Sequence, residues 1–204
     1  MNEKPWDARL AAVLVQPLRD TRVSPNHLTT LRLGAGLVSA WAFADGHWPN
    51  LAAGLLVLSN LLDHTDGELA RMSGKTSRIG HLYDLASDAL VHVLLFLCIG
   101  VGLSRGGAGD WPLVAGAVSA VAVAAIFHMR NEMEKRHGKA ATAQIRYSGF
   151  EAEDILYLLP VVTMTGGLRV FLAAAAVGAP LAAVLVGRHY LQGRTPHGAA
   201  STGD

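Results

Sequence analysis

The 204-residue chain has one cysteine, Cys98. That excludes an intrachain disulfide and any metal site built from several thiolates. Inside its apolar run, Cys98 reads as a small buried side chain. Charge is scarce and balanced. Lys and Arg total 17, Asp and Glu total 16, and the formal net charge is +1. No bulk basic field exists to attract a nucleic-acid backbone, so nucleic acid is not an expected partner. No internal repeat is evident. A cleavable leader is not expected either, because the only early apolar stretch, residues 10–15, is too short for a signal-peptide core and follows Glu3, Asp7 and Arg9. The first long apolar helix then serves as an uncleaved signal.

What the chain has instead is apolar length. Hydrophobic residues make up 51%, and the mean hydropathy of +0.31 fits a small polytopic membrane protein better than a soluble domain. Six segments are long and apolar enough to span, at residues 27–44, 49–71, 79–103, 111–129, 151–166 and 168–190. The fifth is short and contains Pro160. Turn chemistry separates them at Asp45-Gly46, Ser73-Gly74, Arg105-Gly106-Gly107 and Gly166-Gly167.

Six spans with a cytoplasmic N-terminus put both termini on one side. Arg19, Arg22, Arg71, Lys75, Arg78, Arg130, Lys135, Arg136 and Arg188 then face the cytoplasm, and only Arg105 and Arg169 lie in outer loops. That asymmetry follows the positive-inside rule. Ahead of the spans, Trp6, Leu10, Leu14 and Leu18 recur every four residues. Residues 6–18 are therefore expected to form an amphipathic helix in the cytoplasmic interface, weakened in its last turn by Pro17. The Gly-, Ser-, Thr- and Pro-rich tail, 193–204, has the composition of a disordered segment. The expected architecture is all-α: one membrane domain, residues 1–192, with the interfacial helix followed by a six-helix bundle over 27–190.

Four aspartates interrupt this apolar background in the pattern Asp63-x2-Asp66-Gly67-x2-Ala70-Arg71-x8-Gly80-x3-Asp84-x3-Asp88. A carboxylate at the centre of a membrane helix costs roughly 2.5–3.5 kcal/mol on insertion scales. A bound cation would offset that cost. Counting from the cytoplasmic ends of spans two and three, Asp63 and Asp88 lie roughly 13 Å deep, and Asp66 and Asp84 roughly 8–9 Å. Spacings of three and four place each pair on one helix face. Two adjacent antiparallel helices would thus face two carboxylate pairs at matching depths. Such an all-oxygen set suits a hard cation, Mg²⁺ or Mn²⁺. Gly67, Ala70 and Gly80 let helices approach closely or let a ligand reach the backbone. Arg71 is placed to grip phosphate. The competing structural reading pairs Asp84 or Asp88 with Arg71 or Arg78 as interhelical salt bridges, but four acids outnumber those bases.

At these residues the chain resembles the CDP-alcohol phosphotransferase family, whose signature is Asp-x2-Asp-Gly-x2-Ala-Arg, seven or eight residues, then Gly-x3-Asp-x3-Asp. All eight fixed positions are present. The six-span layout and short N-terminal helix also match. The resemblance implies Asp63, Asp66 and Asp84 as metal ligands and Asp88 as general base with contact to a second metal, for one or two divalent ions in all. It implies a CDP pocket shaped by Asp66, Gly67, Ala70, Arg71 and Gly80. It further implies transfer of a phosphatidyl group from CDP-diacylglycerol to a small polar alcohol such as glycerol 3-phosphate or inositol phosphate, with CMP released, and a homodimer.

The stretch Pro25-Asn26-His27-Leu28-Thr29 with Arg32 one turn later also matches a family motif near the nucleotide. Asn26 and Thr29 are candidate CDP contacts, or else cap the first span. Arg78, Arg130 and Arg188 are candidates for a basic acceptor pocket, or else positive-inside anchors. Glu151, Glu153 and Asp154 read as favourable charge at a helix N-terminus. His64, His81 and His92 flank the acids without zinc-site spacing. Packing is the expected role of His92, with a hydrogen bond to Asp88 as the alternative. Two other functions fit less of the pattern. An aminoalcohol transferase using CDP-choline or CDP-ethanolamine with diacylglycerol reverses the donor arrangement. A divalent-cation transporter would need a polar path beyond Asp63 and Asp88, and none continues.

Overall fold

A computed structural model describes residues 6–137 and 152–192, and all regular structure among them is helical. Helix α1 (Trp6–Val15) runs into a 3₁₀ turn (Gln16–Leu18). It is followed by α2 (Pro25–Asp45), α3 (Pro49–Ser73), α4 (Arg78–Leu103), a π-type turn (Ser104–Ala108) and α5 (Trp111–His137). A 3₁₀ stretch (Ala152–Leu158) then enters the short α6 (Leu159–Met164), and α7 (Leu168–Gln192) closes the bundle.

Local chemistry sets the boundaries. Pro25 and Pro49 occupy first-turn positions, where a missing N–H costs nothing and the fixed φ suits a helix. Ser24, in an extended conformation, is the N-cap of α2, and its N–H donates to His27 Nδ1 at 3.3 Å. Asn26 and Thr29 therefore lie inside the helix, not at its cap, which corrects the capping role considered for them. Gly46 and Gly74 end α2 and α3 in the left-handed region, at φ of 81° and 66°.

Two segments differ from their sequence expectation. Helix α5 continues past residue 129 through a charged stretch, carried by the Lys135–Glu132 pair at 2.9 Å and by Arg136 lying over the Tyr190 ring of α7 at 5.6 Å. The fifth segment is not one α-helix. It is 3₁₀ up to Leu158, and Pro160 sits in the first turn of α6, where it is tolerated. Glu151, and the side chains of Glu153 and Asp154, lie outside the described residues, as do residues 193–204.

Among the described residues, three helical stretches are long and apolar enough to cross a membrane: Arg78–Ala108, Trp111–Arg136 and Leu168–Leu191, with mean hydropathies of 2.0, 1.9 and 2.3. The protein is a membrane protein. Helices α2 and α3 are comparable in length, but they carry the polar residues of the aspartate region at one end. In α1, Ala11 and Val15 are buried while Val13 and Leu14 are exposed. The helix packs on α3, and Leu14 of the every-fourth-residue stripe is exposed. The side chains of Trp6 and Leu10 lie outside the described residues.

Helix α2 packs against both α3 and α4, α5 against α4 and α7, while α3 and α4 form no comparable packed pair. The apolar core gathers Ala42, Phe43, Ala52, Leu56, Val91, Leu95 and Ile99 in one half of the bundle. Between α2 and α3, Ser39 Oγ donates to the Ala52 carbonyl at 2.7 Å and Ser59 Oγ to the Arg32 carbonyl at 2.9 Å. Close approach elsewhere depends on glycine. A Cβ on Gly100 would stand 2.5 Å from the Pro112 carbonyl oxygen, and one on Gly116 2.5 Å from that of Phe96. A Cβ on Gly102 would overlap the Phe43 carbonyl oxygen. Backbone cannot rotate away as a side chain can. Gly102→Ala is therefore expected to destabilise the bundle by about 1–3 kcal/mol, as overpacked cores do, read as a lower melting temperature in detergent.

Candidate active site

The carboxylates lie in the half of the bundle away from the apolar core. Asp63 and Asp66 come from the last three turns of α3, and Asp84 and Asp88 from the second and third turns of α4. Oxygens of Asp63 and Asp66 on α3 converge with one of Asp84 on α4, as the spacing predicts, although the two helices pack little on each other. Helix α2 packs on both, and its Arg32 joins all four. Arg32 Nη1 lies 2.9 Å from Asp63 Oδ1 and 3.5 Å from Asp88 Oδ1. Nη2 donates to Asp84 Oδ1 at 2.6 Å and to the Asp84 carbonyl at 2.7 Å. Nε stands 3.5 Å from Asp66 Oδ2 without forming a hydrogen bond. The depth pairing expected from helical rise thus reappears on the guanidinium: Nη1 takes the deeper pair, and Nε and Nη2 the shallower one.

Arg32 is 1% exposed. Sequence reasoning placed it in a motif but gave it no role, because a spacing argument on α3 and α4 cannot see a partner from a third helix. The salt-bridge alternative named the wrong bases. Arg78 is exposed at the start of α4. Arg71 bonds within α3, its Nε and Nη2 donating to Glu68 Oε2 at 3.0 and 2.6 Å. Glu68 is 3% exposed. It was also missed, although its i,i+3 spacing from Arg71 was a readable signal.

One guanidinium against four carboxylates leaves the cluster strongly negative. Asp63, Asp66 and Asp84 can each offer an oxygen within 4.8 Å of the others. Excess negative charge and all-oxygen donors fit a hard divalent cation. Thr29 Oγ1 donates to Asp66 Oδ2 at 2.7 Å and fixes that carboxylate's rotamer. His92 Nδ1 lies 2.9 Å from the Asp88 carbonyl and 3.1 Å from Asp88 Oδ1. Both partners are acceptors, so Nδ1 carries the proton. His92 also packs on the Phe127 ring, so the packing expectation was incomplete. His64 Nδ1 lies 3.1 Å from the Asn60 carbonyl in its own helix, and His81 pairs with Glu134 at 3.2 Å.

A cavity of about 240 Å³ lies beside the cluster, where α2, the end of α3 and the start of α4 meet around the α3–α4 turn. Asn26, Thr29, Asp66, Gly67, Ala70, Arg71, Gly80 and Asp84 line it, with Lys75 and Ser77 at the α3–α4 turn. A Cβ on Gly67 would meet only the Arg71 guanidinium, at 3.5 Å. The missing side chain at Gly67 therefore clears the cavity instead of letting helices approach. Lys75 Nζ donates to the Thr21 and Val23 carbonyls at 3.1 and 3.4 Å, which ties the turn to the segment before α2. Asp63, Asp88, Arg78, Arg130 and Arg188 are not among the lining residues. Arg130 is half-buried on α5 and Arg188 exposed on α7.

Fold and site define a helical membrane protein organised around a carboxylate cluster beside a cavity lined by polar side chains. Residues 22–186 match the family model for CDP-alcohol phosphatidyltransferase. A curated relative, the bifunctional IPC transferase and DIPP synthase of Rubrobacter xylanophilus, is 29% identical over 170 residues. The match covers 82% of this chain and 34% of that protein, so this chain spans about a third of the relative's length. The fold is shared with phosphatidylinositol phosphate synthase of Mycobacterium tuberculosis. Its structure with CDP-DAG bound has a TM-score of 0.63 at 20% identity, covering 90% of this chain and 91% of that one. Its complex with manganese and citrate gives 0.61 at 20% identity, covering 91% and 86%. The chain belongs to the CDP-alcohol phosphatidyltransferase family.

Ser77 positions the cavity's α4 wall, because its Oγ caps that helix by accepting from the Gly80 N–H at 2.9 Å. Ser77→Ala should cost about 1 kcal/mol, and Ser77→Asp should retain most of the stability. Thermal unfolding of the two variants checks this.

Proposed function

We propose that this protein transfers the phosphatidyl group of CDP-diacylglycerol to a small polar alcohol and releases CMP. The observation that carries the reading is the cavity itself, which brings Asn26, Thr29, Gly67, Ala70, Arg71 and Gly80 beside Asp66 and Asp84. Asp63, Asp66, Asp84 and Asp88 would hold one or two Mg²⁺ or Mn²⁺ ions, which supply charge neutralisation for the diphosphate and the departing CMP.

The chain's own residues do the rest. Arg71, held by Glu68, presents its exposed guanidinium to phosphate. Gly67 and Ala70 leave room for the nucleotide, and Asn26 and Thr29 contact it from α2. Asp88 takes the proton from the acceptor hydroxyl. The alkoxide oxygen forms a bond to the β-phosphorus, the bond from that phosphorus to the bridging oxygen breaks, and CMP leaves with the electron pair. His92, bonded to Asp88, orients the base. Arg78, Arg130 and Arg188 would serve an acceptor that carries a phosphate, such as glycerol 3-phosphate or inositol phosphate.

The same reading includes one domain over residues 1–192, six spans with both termini and the site facing the cytoplasm, α1 lying in the cytoplasmic interface, and a homodimer. The exposed Val13 and Leu14 support contact of α1 with lipid.

Purified protein with Mg²⁺ and CDP-diacylglycerol should release CMP when given one alcohol from a panel of glycerol 3-phosphate, inositol phosphate, inositol and serine, and a chelator should stop the release. Failure to bind CDP-diacylglycerol would sink the proposal. Binding without release would move it to another acceptor. Asp88→Asn should lower turnover by about 10²–10⁴-fold, the usual contribution of a general base, while CDP-lipid binding persists. Asp66→Asn should weaken Mn²⁺ binding, measured by calorimetry. Glu68→Gln should raise the KM for CDP-diacylglycerol more than it lowers kcat, because it loosens Arg71 without touching the base.

A further inference from the structure

We infer that Arg32 is a positioning residue: a built-in counter-cation that holds the four carboxylates converged when no divalent ion is bound. The inference rests on the carboxylate cluster being the ion site. The acids come from two helices that pack little on each other, and the guanidinium bridges them from a third. Contacts run to one oxygen on each carboxylate: Oδ1 of Asp63, Asp84 and Asp88, and Oδ2 of Asp66.

The fork is needed. A guanidinium is planar and spreads its N–H groups over three nitrogens, and here each nitrogen addresses a different carboxylate or depth. A lysine ammonium is a point charge and could not reach both depths. The position of Arg32 is fixed from both ends, since its carbonyl accepts from Ser59 Oγ and its Nη2 also donates to the Asp84 carbonyl. Without the guanidinium, the buried Asp66 and the half-buried Asp63, Asp84 and Asp88 would face one another with only Thr29 and His92 as partners, and a bound cation or protonation would have to relieve their repulsion. Arg32 thus lets the metal-free protein keep its fold.

Thermal unfolding of the full chain in detergent, in EDTA and in Mn²⁺, tests this. Arg32→Met should melt at least about 6 °C below wild type in EDTA, the scale for breaking a buried ion pair in a chain of this size. Mn²⁺ should restore most of that loss while shifting wild type much less. An equal loss with and without Mn²⁺ would make Arg32 an ordinary packing residue and overturn the inference, as would unchanged melting in EDTA.

A second arm needs no metal. Asp63→Asn should lower the melting temperature of wild type but raise that of Arg32→Met, because it removes an acid that has lost its counter-charge. A decrease in both backgrounds overturns the inference. Failure of Mn²⁺ to shift either protein would count against the ion site, and this cycle would still decide the role of Arg32. If Arg32→Met yields no folded protein, Arg32→Lys carries the same comparison. Its charge without the fork should leave it between wild type and unfolded in EDTA, and wild-type melting would overturn the role of the fork.

Discussion

Compensation of buried negative charge is the constraint on which this molecule turns. Four carboxylates converging in a helix bundle, one buried and three half-buried, repel one another, and apolar packing does not offset that. The chain meets the problem with a single guanidinium from α2, placed so that its nitrogens reach both carboxylate layers. The position of α2 follows from this. It packs on both α3 and α4, and the cavity lies on the polar side where the three helices meet.

That arrangement divides the bundle along its length. Where α2, α3 and α4 carry Phe43, Leu56, Leu95 and Ile99, packing is dry and close, and glycines on α4 and α5 bring backbones into contact. Toward the other end the same three helices exchange apolar contacts for hydrogen bonds: Ser59 to the Arg32 carbonyl, Thr29 to Asp66, His92 to Asp88. Rigidity in the dry half sets the helix axes. The polar half inherits those axes and can leave space between them.

Much of this was legible in the sequence. The aspartate spacing gave the depth pairing, because helical rise is constant and α3 ends where α4 begins, at one short turn. Glycines in the turn dipeptides Asp45-Gly46 and Ser73-Gly74 marked the ends of α2 and α3, since only glycine enters the left-handed region freely. What escaped were relations between elements. Arg32 lies 31 residues before Asp63, and no local period links them. Glu68 hid inside the signature as an unspecified position. The α5 extension was lost because hydropathy ends where its charge pairs begin, and the broken fifth segment because hydropathy does not distinguish a 3₁₀ turn from an α-helix.

The order of these residues along the chain has a consequence for biogenesis. Arg32 precedes every carboxylate it faces, and a membrane protein is threaded into the bilayer from its N-terminus as it is synthesised. The cation is therefore synthesised before each acid it pairs with, and its charge is available to every one of them as it emerges. A chain with the same contacts in the reverse order would have to admit four acids to the membrane before their partner existed.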